Sequence, residues 1–123
     1  MSKPRVLIAG TGFGRAYLAA FERGDVDLAL AGILAAGSPR SQACAAYYSV
    51  PLWTTVEQIP NDVDLACVVI GGAMNGGPGP GLSQELMTRG LHVLQEHPLH
   101  PDELVTCLRK ATEAGVVFRM NTH

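Results

Sequence analysis

Two stretches of the chain combine residue types and spacings that suit chemistry. The first is Gly10-Thr11-Gly12-Phe13-Gly14, set between an apolar run at 5–9 and a helical pattern that begins at Gly14. Glycines there allow a tight turn and a close backbone approach to phosphate, and the helix start adds N–H groups and a partial positive charge. A strict G-x-G-x-x-G would end at position 15, where Arg15 stands, so the third glycine comes one residue early. The second stretch is Gln95-Glu96-His97-Pro98-Leu99. His97 offers a group that titrates near neutrality, which suits a proton donor.

The literal spacing G-x-G-x-G also occurs in methyltransferases that bind S-adenosylmethionine. Those carry an acid just before the first glycine and another at the end of the second strand. Here the positions hold Ile8-Ala9 and Leu34-Ala35-Ala36-Gly37, which counts against that reading. The same gap bears on the choice of dinucleotide. A carboxylate after the second strand would bind the ribose 2′-hydroxyl of NAD and repel the extra phosphate of NADP. The chain instead has Gly37-Ser38-Pro39-Arg40-Ser41, and two hydroxyls with a guanidinium at a helix start suit a 2′-phosphate. The expected cofactor is therefore NADPH.

The elements that would position these groups alternate along the chain. Strands are expected at 5–9, 28–34, 52–53, 64–70, 91–94 and 116–120, and helices at 14–23, 39–48, 82–89 and 101–114. Ser38 reads as an N-cap with Pro39 at the first helical position. The run at 64–70 is nearly all apolar, as expected of a parallel strand covered on both faces. Residues 71–81, with six glycines and two prolines, read as a loop. The expected fold is α/β, a doubly wound parallel sheet of six strands. Its ligand would lie along the carboxyl ends of the strands, beside the loops 10–14, 37–41, 71–81 and 96–98.

Composition narrows the classes further. The 123 residues, 47% hydrophobic and 16% charged, fit one domain with an adequate core. A formal charge of −2 with no basic patch gives nucleic acid no electrostatic footprint. No apolar run is long enough for a membrane span, and no signal peptide is evident, so a soluble, cytoplasmic chain is expected. Cys44, Cys67 and Cys107 have neither a disulfide framework nor metal-ligand spacing, so no metal is expected.

Val93-Leu94-Gln95-Glu96-His97-Pro98 resembles the Glu-Lys-Pro signature of the glucose–fructose oxidoreductase, inositol dehydrogenase and MocA superfamily. Val50-Pro51 before the third strand, Asp64 at the fourth and Gly90-Leu91-His92-Val93-Leu94 at the fifth extend the resemblance over nearly the whole chain. His97 replaces the usual Lys, and Gly71-Gly72-Ala73-Met74-Asn75 replaces the usual Pro-Asn. With Gly-Thr-Gly-Phe-Gly-Arg-Ala-Tyr at 10–17 and Gln95 to His100, the pattern looks like the thiazolinyl imine reductases of pyochelin- and yersiniabactin-type siderophore assembly.

The resemblance implies a Rossmann domain over residues 1–123, with the substrate and dimerisation domain absent and oligomers possible only in a longer protein. It implies NADPH-dependent reduction of a carrier-bound thiazoline to a thiazolidine, alongside peptide-synthetase machinery. Gly10, Thr11, Gly12, Phe13, Gly14, Ser38, Arg40, Ser41, Gly71, Gly72, Glu96, His97 and Pro98 are the expected cofactor contacts. His97 reads equally as proton donor to the ring nitrogen or as a ligand of the nicotinamide ribose. Glu96 reads as a ribose contact or an organiser of its loop. A sugar or polyol dehydrogenase of the same superfamily is the alternative enzyme, and a nucleotide-binding module without catalysis is the alternative class.

Overall fold

The computed structural model describes residues 3–10, 14–22, 27–69, 78–96 and 100–121. Six strands, β1 (Arg5–Ala9), β2 (Ala29–Leu34), β3 (Leu52–Trp53), β4 (Leu65–Val68), β5 (His92–Glu96) and β6 (Phe118–Asn121), alternate with four helices. These are α1 (Gly14–Glu22), α2 (Pro39–Tyr48), α3 (Pro78–Thr88) and α4 (Pro101–Ala114). A 3-10 turn, Val56–Gln58, follows β3. The sheet order is β3-β2-β1-β4-β5-β6, and every pairing is parallel. This is the doubly wound Rossmann-type α/β sheet expected from the sequence.

Side-chain alternation explains why the central strands are apolar throughout. Val6 and Ile8 of β1, with Cys67 and Val69 of the β4 segment, join a core with Leu18 of α1 and Ala45 of α2. Leu7 and Ala9, with Ala66 and Val68, face the other way, onto Leu86 and Met87 of α3 and Cys107 and Ala111 of α4. A strand covered on both faces keeps a polar side chain only where a hydrogen-bond partner meets it. The register of β2 against β1 shifts between Val6 and Leu7, where Leu30 and then Gly32 are the partners. That bulge leaves Ala31 as an extra residue and turns Leu34 towards the second core. A Cβ on Gly32 would lie 2.5 Å from the Trp53 indole, so the absence of a side chain there lets the ring seat in the core.

The helix ends follow the local signals. Ser38 caps α2, accepting from the Ser41 N–H at 3.2 Å, and Pro39 opens the helix. His100 caps α4 by accepting the Asp102 N–H at 3.2 Å, while Glu103 accepts from the His100 N–H. Gly90 and Gly115 follow their helices at φ +90° and +71°, where a side chain would be strained.

Most boundaries fall within a residue or two of expectation, and two differences bear on the site. Helix α3 begins at Pro78 rather than Leu82. Pro78 and Pro80 both fall in its first turn, where a missing N–H costs no intrahelical bond. Residues 78–81 of the expected glycine–proline loop are therefore helical. Strand β5 runs on to Glu96, which pairs with Asn121, rather than ending at Leu94. Polar Gln95 and Glu96 read as a strand end in sequence, but each finds a partner inside the fold.

Candidate functional site

The order of the sheet reverses between β1 and β4, whose carboxyl ends lie side by side. Pairing continues one residue past the strand ends: the Gly10 N–H donates to the Leu34 carbonyl, and the Val69 N–H to the Ala9 carbonyl, both at 2.9 Å. Gly10 takes φ +97°, the left-handed region, as the chain turns from β1 towards α1. Helix α1 then starts at Gly14 with its N-terminus at this edge. A strand end, a glycine at positive φ and a helix N-terminus thus lie at the topological switch point, where doubly wound sheets in general accept the pyrophosphate of a dinucleotide. Thr11, Gly12 and Phe13 lie outside the described residues, as do Gly71, Gly72, His97 and Pro98.

At the β2 end, Ser38, Arg40 and Ser41 all sit in or just before the first turn of α2. Ser38 and Arg40 are exposed, whereas Ser41 is only 2% exposed and its hydroxyl lies 3.0 Å from that of Ser38. Ser41 is thus part of the cap, and Arg40 is an exposed cation at this corner. No carboxylate occurs from Leu34 to Ser41.

At the β5 end, Glu96 is half-buried, and its Oε2 accepts a hydrogen bond from the Tyr17 hydroxyl of α1. Beside it, Gln95 is fully buried. The Ser83 hydroxyl of α3 donates to Gln95 Oε1, and Gln95 Nε2 donates to the Glu96 carbonyl at 3.2 Å. Two helices on opposite faces of the sheet therefore hold the end of one strand.

Sequence reasoning did not anticipate a cleft of about 410 Å³ at the same edge, beyond β2 and β3. Ala35, Ala36, Thr54, Thr55, Glu57 and Glu85 line it. Gln58 organises its rim by accepting from the Thr54 N–H at 2.6 Å. Arg89 ties α3 to the same turn, donating to the carbonyls of Val56 and Ile59. The acids come from separate segments, so no local motif marks them. A larger hollow of about 490 Å³ lies at the opposite edge, between Phe21, Leu28, Tyr48 and Val50, away from the switch point.

Other singled-out residues take structural roles. Asp64 accepts the Arg5 N–H at 2.9 Å, and His92 Nδ1 accepts the Val117 N–H at 3.0 Å. Burial pushes the Cys67 thiol up to about 11. Burial, with Glu103 adding to it, does the same to Cys107. Both stay protonated at neutral pH, so neither is an activated nucleophile. Among the described residues no group of His, Cys, Asp and Glu is placed to hold a metal ion. No helix among them is long and apolar enough to cross a membrane.

The sequence model of an oxidoreductase family with an NAD-binding Rossmann fold, GFO/IDH/MocA, matches residues 4–122. The chain belongs to this family. No curated protein matches it at a significant level. Solved structures reproduce the fold of this family member closely. GenD2 of gentamicin A biosynthesis, in complex with NAD, aligns with TM-score 0.83 and 19% identity over 98% of this chain and 35% of its own. A 3-ketoreductase from Actinomadura kijaniata, in complex with TDP-benzene and NADP, gives 0.81 and 19% over 97% and 37%. The UDP-N-acetylglucosamine 3-dehydrogenase of Acidithiobacillus ferrooxidans gives 0.79 and 23% over 98% and 38%. The chain thus spans little more than a third of the structures it matches. As a member of this family it carries an NAD(P)-binding Rossmann fold of oxidoreductases.

Proposed function

We propose that the chain is the NADPH-binding domain of a reductase that converts a carrier-bound thiazoline C=N to a thiazolidine in siderophore assembly, working with peptide-synthetase machinery. The observation that carries the choice of cofactor is the start of α2. It presents exposed Arg40 beside Ser38, and no carboxylate from Leu34 to Ser41 that would repel a 2′-phosphate. In this reading the residues from Gly10 to Gly14 receive the pyrophosphate. Gly71 and Gly72 admit the backbone close to the dinucleotide, and the cleft at Thr54, Glu57 and Glu85 takes the adenine end, where a carboxylate can accept from its amino group. Glu96 meets the nicotinamide ribose.

NADPH supplies a hydride when bound. The protein's own task is to bring the imine carbon to it and to deliver a proton to the ring nitrogen. His97, directly after Glu96, is the residue for that proton in this reading. The support for an imine substrate is His97 in place of the family's lysine. A second reading, a sugar or polyol dehydrogenase, draws support from the UDP-N-acetylglucosamine 3-dehydrogenase among the similar structures.

Titrating the chain with NADPH and NADH tests the cofactor. A tenfold or greater preference for NADPH that Arg40→Ala abolishes is expected, and a preference for NADH overturns the assignment. Comparing thiazoline-dependent with sugar-dependent turnover tests the substrate. Turnover of the sugar alone, or NADPH binding without any turnover in the longest natural form of the protein, overturns imine reduction. With a proton-donor role, His97→Ala lowers kcat more than it weakens NADPH binding.

A further inference from the structure

The Tyr17–Glu96 contact spans the switch point and is explained by no local motif. Side chains alternate along β5: Val93 lies in the core with α3 and α4, whereas Leu94 packs on the core with α1. Glu96 therefore projects towards α1. Tyr17, in the first turns of α1, packs its ring on that same core and turns its hydroxyl to the carboxylate. An aromatic body with a polar tip can cross apolar ground and still donate a hydrogen bond at its end. Strand β4 lies between β1 and β5, so the contact links the helix that follows β1 to a strand two places along the sheet, about 10 Å from β1.

We propose that Tyr17 is a positioning residue: its hydroxyl holds the Glu96 carboxylate in place, so that the first turns of α1 and the end of β5 meet the dinucleotide as one preformed unit. This rests on the reading that Glu96 contacts the cofactor. A glutamate at a strand end has several rotors, and the entropy lost in ordering them would weaken binding if it fell due when the ligand arrives. The Tyr17 bond imposes that order beforehand. From the opposite face, the Ser83–Gln95 pair fixes the Glu96 backbone by the bond from Gln95 Nε2 to its carbonyl. Side chain and main chain of one residue are thus held from two helices.

The test is a double-mutant cycle on the full chain, read as NADPH affinity by titration, with melting curves as a check of folding. Tyr17→Phe, which keeps the ring and removes only the hydroxyl, should weaken binding about tenfold while melting close to the parent. Glu96→Ala should weaken it at least as much, and Tyr17→Phe added to Glu96→Ala should cost nothing more. In a Glu96→Gln background, which keeps an acceptor oxygen, Tyr17→Phe should again be costly. Unchanged affinity in Glu96→Ala would overturn the role of Glu96 and this proposal with it. A loss in Glu96→Ala with none in Tyr17→Phe overturns the positioning role alone. Losses that simply add would show Tyr17 acting on its own and overturn it as well.

Discussion

The two ends of the carboxyl edge are built by different means. At the β2 end the groups are neighbours in sequence. Ser38, Arg40 and Ser41 are arranged by one helix start, and the cap bond between Ser38 and Ser41 spans three residues. At the β5 end the partners are distant: Tyr17 and Glu96 are 79 residues apart, and Ser83 and Gln95 are 12 apart across a helix and a strand. The polar groups at the β2 end are therefore adjustable by local changes at small cost, although the strand beneath them is tightly packed on Trp53. The β5 end is over-determined, since its polar groups sit inside a packed sheet where every bond has to be made.

Three substitutions separate these constructions. The largest effect is expected from Gly32→Ala, which forces a methyl into the Trp53 ring beneath the β2 end. Overpacking of this kind should cost up to about 3 kcal/mol, read by denaturant titration. An effect below about 0.5 kcal/mol would mean the ring moves aside freely, and that the β2 end is looser than its packing implies. Next comes Ser83→Ala, which leaves the buried Gln95 amide without its donor. It should cost about 2 kcal/mol, and should also weaken NADPH binding through the shifted Glu96 backbone. Stability lost with binding intact would separate Gln95 from the site. The smallest effect is expected from Ser38→Ala, about 1 kcal/mol for a lost N-cap. Hydrogen exchange should show the change confined to the first turn of α2. If Ser38→Ala were instead to cost as much as Ser83→Ala, the contrast between a local end and a long-range end would fail.

Much of this molecule could be read from its residues. The ranges of α2 and α4 follow from a proline behind a cap residue, and the doubly wound sheet follows from apolar runs alternating with helical ones. These signals lie within a few residues of one another, where chain geometry alone decides the outcome. The end of β5 and the burial at α2 are set from elsewhere, and the start of α3 is a place where two prolines suit a loop and a helix's first turn alike. Gln95 and Glu96 look like a strand end until Ser83 and Tyr17 approach them. Pro78 and Pro80 look like loop residues until they fall in a helix's first turn. Ser41 looks like an exposed hydroxyl until the α2 packing buries it.

The sequence by itself determined the element order, the glycine turn after β1 and the missing carboxylate after β2, because each is a property of adjacent residues. Only the tertiary structure decided that Glu96 is held by Tyr17, that Glu57 and Glu85 share one cleft, and that Ser41 turns inward. Those facts depend on which strands become neighbours. Strand order is fixed by burying both faces of the sheet at once, a condition that no local segment can satisfy on its own.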